Sequence, residues 1–121
     1  MTVLDASALL AFLQGEPGSD EVDAALGEGA VCGAANWSEV AQKVRSAGRD
    51  WDLVRSLLVS YHIRIEAVTA EDAELAAQRW RHGDKLSLAD RLCLALASRL
   101  GVDVLTADTA WGSGDGVRQI R

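Results

Sequence analysis

Short apolar runs alternate with helix-period stretches along the whole chain, and that alternation leaves few folds open. Residues 2–4 (TVL), 30–33 (AVCG) and 102–105 (VDVL) have the length and composition of short buried strands. Ile63 and Ile65 flank Arg64 in the period-2 pattern of another strand. Between them the pattern is helical. A helix from Ser7 to Gln14 is stopped by Gly15, and Pro17 suits the first turn of a second helix that Gly27 and Gly29 end. Asn36 opens a third, with Val40, Ala41 and Val44 on one face and Gly48 as its stop. Asp50 or Trp51 opens a fourth that carries Leu53, Leu57 and Leu58. Thr69 and Asp72 form a capping box for a helix over 70–81. A polar loop from His82 to Lys85 precedes a strongly apolar helix from Ser87 to Gly101. A helical turn near Asp108 to Trp111 and a last strand over 117–120 close the chain. Strands that alternate with helices predict an α/β fold, a parallel sheet with helices on both faces.

A chain of 121 residues supports one hydrophobic core, so residues 1–121 read as one domain. No apolar run approaches the roughly 18 residues that span a bilayer, and MTVLDAS has no basic leader region. The expected location is cytoplasmic, with no membrane partner. Cys32 and Cys93 sit in apolar surroundings with no other cysteine at metal-finger spacing, which predicts buried free thiols. The net charge of −6 opposes non-specific binding to nucleic acid. A nucleic-acid enzyme with this charge needs local cations or a bound metal to offset the repulsion.

Ligands of open parallel sheets bind beyond the carboxyl ends of the strands. Four acids fall there. Asp5 follows the first strand and Asp108 follows VLTA; Glu39 and Asp90 lie in the first turns of helices that flank the sheet. Each has a plain structural alternative. Asn36 and Glu39 are spaced like a capping box, Ser87 and Asp90 form one, and Asp5 and Asp108 can cap the helices that follow. Taken singly, capping is the better reading. Taken together, four carboxylates at one end of a fold repel, and a hard divalent cation such as Mg2+ or Mn2+ offsets that cost. Such a site activates water and stabilises charge on a phosphodiester. Metal and caps make opposite predictions for Asp90→Ala in metal-free protein, unchanged or raised stability against a loss. No GxGxxG, phosphate-binding GK[ST] loop or GxSxG elbow is present, and His62 and His82 are isolated.

VLDASALLAFL, NWSEV, LSLADRLCLALA and VLTADTAW, in that order and at suitable separations, make the chain resemble the PIN domain, most closely VapC-type toxins. The resemblance implies a five-stranded parallel sheet in the order 3-2-1-4-5. It matches Asp5, Glu39, Asp90 and Asp108 to the family's catalytic acids, with Asp5, Asp90 and Asp108 holding metal and Ser7 and Thr106 at its small hydroxyl positions. It implies endonucleolytic RNA cleavage by a metal-activated water, a VapB-type antitoxin whose C-terminal segment covers the site, and a homodimer. The segment Arg81 to Ser87 is short beside many relatives, in which this region often helps shape the substrate groove, so the resemblance leaves the choice of RNA open.

Among the cations, Lys85 and Arg91 flank Asp90 in sequence and are expected near the site. Trp80 is expected in the core; Trp37 and Trp51 fit the core or an antitoxin groove equally. A haloacid-dehalogenase-like phosphatase needs a second Asp two residues after the first, where this chain has Ser7. A catalytically silent binding module has no need of all four acids.

Overall fold

Two apolar residues in succession mark each central strand, and they divide the core in two. The computed structural model describes residues 1–121. Strand β1 (Thr2–Leu4) is central, between β2 (Ala30–Gly33) and β4 (Val104–Thr106); β3 (Arg64–Glu66) and β5 (Val117–Gln119) are the edges. The order is β3-β2-β1-β4-β5 and every pairing is parallel, as expected. Leu4, Cys32 and Leu105 point to one face, and Val3, Val31 and Val104 to the other. Successive side chains of a strand must face opposite ways, so two apolar residues in a row serve two layers.

The first face carries α1 (Ala6–Leu13), α2 (Ser19–Glu28), α3 (Ala34–Ser46) and α4 (Trp51–Ser60). Leu9, Leu26, Val40 and Leu58 are fully buried there, each worth about 1.5–3 kcal/mol of transfer free energy. The second face is covered by α6 (Leu88–Leu100) through Cys93, Leu96 and Ala97. Helix α5 (Ala70–Gln78) packs on α6, and the buried Asp72 receives two hydrogen bonds from Arg99, at 2.7 and 3.1 Å. The predicted Thr69–Asp72 capping box is present. The chain's end returns to the turn before α2, where Gly18, at φ +94°, faces Ile120; a Cβ on Gly18 would lie 2.3 Å from the Ile120 carbonyl oxygen.

Several local expectations shift. Helix α2 begins at Ser19 after the left-handed Gly18, so Pro17 lies in the preceding turn. Helix α3 begins at Ala34, because Gly33 leaves β2 in extended conformation and caps the helix with no side chain; Asn36 is inside it. Helix α5 stops at Gln78, three residues early, so Trp80 is not in the core. It is 54% exposed and meets His82 edge to face. Trp37 and Trp51 pack edge to face with ring centres 5.1 Å apart, in and against the core. Both cysteines are free and buried, and burial pushes the Cys32 thiol up to about 12.

Candidate active site

Each of the four acids is positioned by a local device of its own segment. Asp5 leaves β1 in extended conformation and caps α1, its Oδ1 accepting from the Ala8 N–H at 2.8 Å. The Ser7 hydroxyl donates to the same carboxylate, 2.8 and 2.9 Å from its two oxygens. The Thr106 hydroxyl, at the end of the neighbouring β4, donates to Oδ2 at 2.6 Å. These hydroxyls accept in turn from the backbone after β4: Ala107 N–H donates to Ser7 at 2.9 Å and Asp108 N–H to Thr106 at 3.0 Å. Asp5 is therefore clasped across the β1–β4 crevice. Burial raises its pKa from the ordinary 3.8 to about 6; the bonds from Thr106, Ala8 and Ser7 oppose that rise, and the nearby Asp90 adds to it.

Asp90 lies in the first turn of α6. Its Oδ2 accepts from Ser87 N–H at 2.9 Å while the Ser87 hydroxyl accepts from Asp90 N–H at 3.1 Å, a complete capping box. Asp108 caps the single 3₁₀ turn Thr109–Trp111 through Oδ1, which accepts from Ala110 N–H at 2.9 Å. Glu39 lies on α3, and its Oε1 accepts from the Asn36 side-chain amide at 2.9 Å. Asp5, Glu39, Asp90 and Asp108 all line one cavity of about 180 Å³, together with Ser7, Leu10 and Lys43. Capping and clustering, alternatives in the sequence, coexist: Asp5, Asp90 and Asp108 use carboxylate oxygens as caps while lining the cavity.

The donor set suits a hard cation. Asp90, Asp108 and Glu39 each keep one carboxylate oxygen free of protein donors: Oδ1, Oδ2 and Oε2 respectively. No three of the acids are gathered tightly enough to form a ready cage around a bare ion. That arrangement fits Mg2+ or Mn2+, which bind through one or two carboxylates and keep several waters.

Of the sequence-expected cations, neither lines the cavity. Arg91 turns its guanidinium to α5 and donates to the Ala76 carbonyl at 2.8 Å. Lys85 stays exposed on the loop before α6. The cation that does line it is Lys43, one helical turn beyond Glu39. The signal was in the sequence, since residues four apart share a helix face. A larger apolar groove of about 560 Å³ lies among α1, α3 and α4, with Leu13, Val44, Leu53 and Leu57 in its lining, and Leu10 and Lys43 belong to both cavities.

A parallel α/β sheet with acids at its central crevice does not by itself fix a chemistry, since one fold hosts many functions. The PIN-domain family pattern matches residues 2–115. Ribonuclease VapC42 of Mycobacterium tuberculosis is 32% identical over 114 residues, covering 85% of this chain and 87% of that protein. A toxin–antitoxin complex from Klebsiella pneumoniae has a chain of the same fold, with TM-score 0.83 and 20% identity over 100% of this chain and 98% of that one. DNA-bound VapBC from Salmonella typhimurium gives 0.75 and 13% over 99% and 98%. The chain belongs to the PIN-domain family and, within it, to the VapC ribonucleases. No helix is long and apolar enough to cross a membrane.

Proposed function

We propose that residues 1–121 form one metal-dependent endoribonuclease domain, the toxin of a VapBC-type module. The observation that carries this reading is that carboxylates from four separate segments line one cavity at the sheet's central crevice. Asp5, Asp90 and Asp108 hold Mg2+ or Mn2+ in this reading, one or two of them directly and the rest through the waters that such an ion keeps. The ion, when bound, supplies a polarised water and offsets the charge of the scissile phosphate. Glu39 orients the attacking water and accepts its proton. Ser7 and Thr106 hold the Asp5 carboxylate in one orientation. Lys43 offers the RNA backbone a cation inside an otherwise anionic cavity, which answers the objection raised by the net charge of −6. Lys85 and Arg91 do not line the cavity and are left with peripheral roles.

The antitoxin belongs to the same reading. The apolar groove meets the acidic cavity at Leu10 and Lys43. A VapB-type segment with apolar side chains for the groove and an Arg for the carboxylates spans both, since a guanidinium matches carboxylates in charge and geometry. The toxin itself is a homodimer in this reading, as the family resemblance implies.

The test is cleavage of a structured RNA by the purified chain with Mn2+. Cleavage that needs the metal, disappears in Asp5→Asn and leaves the far-ultraviolet circular dichroism unchanged is the expected result. Equal cleavage by Asp5→Asn, or none by the parent under any divalent metal, overturns the reading.

A further inference from the structure

Asn36 is a deeply buried polar side chain outside the cavity lining. It is 1% exposed, on the third residue of α3. Its amide nitrogen donates to Glu39 Oε1 at 2.9 Å and makes a longer contact of 3.5 Å to the carbonyl of Ala89, the residue before Asp90. Its Oδ1 is buried without a partner. The amide cannot be turned round to repair this, because its nitrogen faces two acceptors and an oxygen there would be repelled by both.

We propose that Asn36 is a positioning residue: its amide aims the Glu39 carboxylate into the acidic cavity. The inference rests on the nuclease reading above. One Glu39 oxygen is held by Asn36, which leaves Oε2 directed by the same bond. Without it, Glu39 is one long, freely rotating side chain on an otherwise suitable helix. Loss of such a supporting bond lowers metal affinity or activity by about 10- to 100-fold while leaving the ligands themselves intact.

A double-mutant cycle tests the proposal with the full chain: parent, Asn36→Ala, Glu39→Gln and the double variant. Single-turnover RNA cleavage with Mn2+ gives one readout, and Mn2+ titration by calorimetry without RNA gives another. Asn36→Ser, smaller but polar, serves if Asn36→Ala does not fold. The expected result is a cleavage rate about 10- to 100-fold lower for Asn36→Ala, with KM and Mn2+ affinity little changed, because Glu39 acts on the water and not on the ion. The loss vanishes when Asn36→Ala is added to Glu39→Gln. Equal fold-losses in the two backgrounds overturn the proposal, because they mean Asn36 acts without Glu39. So does an Asn36 variant that melts lower but cleaves as the parent does. An inactive parent overturns the nuclease reading itself, and the proposal with it.

Discussion

Replacing Asp5 by Asn is expected to stabilise the metal-free protein, by an amount that grows with pH. Burial raises the Asp5 pKa from 3.8 to about 6. At about 1.36 kcal/mol per pH unit, that difference corresponds to about 3 kcal/mol against the folded state once Asp5 is ionised in both states. The sign follows from proton binding. Below pH 3.8 the carboxyl is protonated folded and unfolded, and no penalty exists. Between 3.8 and about 6 the folded state holds a proton that the unfolded state has released, so stability falls as pH rises, and above about 6 the loss is complete. Asn removes the charge and keeps the shape. Its Oδ1 can accept from Ala8 and Ser7, and its amide can donate to Thr106, whose hydroxyl then turns to Ser7 at 3.2 Å. With some loss from imperfect geometry, Asp5→Asn should gain about 1–3 kcal/mol at pH 8, or roughly 4 °C per kcal/mol in melting temperature. The assay is thermal melting of both proteins in chelator from pH 4 to 8, read as the difference between them so that other titrating groups cancel. A difference that stays flat across that range, or a variant that loses ground as pH rises, refutes the reasoning. Added Mn2+ should raise the parent's melting temperature more than the variant's.

Other perturbations follow from the same contacts. Asp90→Ala in chelator should lose about 1 kcal/mol, because the capping box is complete in the structure; melting at or above the parent's temperature would show that charge repulsion outweighs the cap. The Arg99 guanidinium holds the Asp72 carboxyl below its ordinary range, so that bridge stabilises above pH 3.8 and is lost as pH falls further. Asp72→Asn should cost about 2–3 kcal/mol in urea unfolding at pH 7, less than a fully buried pair because Arg99 is partly exposed, with the deficit shrinking in acid. Gly18→Ala should cost about 2–4 kcal/mol, since it combines a left-handed backbone with a clash against Ile120; a loss under 1 kcal/mol in the same unfolding assay would show that the C-terminal segment yields freely.

The strands and the acids were legible because neighbours along the chain determine them. Leu4 precedes Asp5 and Leu105 precedes Thr106, so the end of each central strand is written as a change from apolar to polar. Ser87 and Asp90 carry their capping geometry in their spacing. The strand order came from family resemblance, since pairing between distant segments leaves no local mark. Misreadings arose where a contact between elements decides the outcome. Helix α5 has no Gly or Pro to stop it before Trp80, and the periodic reading ran on past Gln78. Arg91 adjoins Asp90 in sequence, but a carbonyl on the neighbouring helix draws it away. Asn36 looked like a cap because Glu39 follows it by three; Gly33 had already begun the helix, which left the amide inside.

The shortness of the sheet has a consequence for how this chain tolerates change. Strands β1 and β4 have three residues each, so the fully buried Leu4 adjoins the cavity acid Asp5, and the fully buried Leu105 adjoins Thr106, whose hydroxyl holds that acid. A longer strand would let a repacked layer relax before its displacement reached the end. Here a core substitution at Leu4 or Leu105 that shifts the backbone by a fraction of an ångström moves Asp5 or Thr106 by nearly as much. Variants selected only for folding should therefore admit other apolar residues of similar volume at these positions, whereas variants selected for cleavage should keep Leu at both. The gap between the two selected sets would measure how little mechanical insulation separates the core from the chemistry.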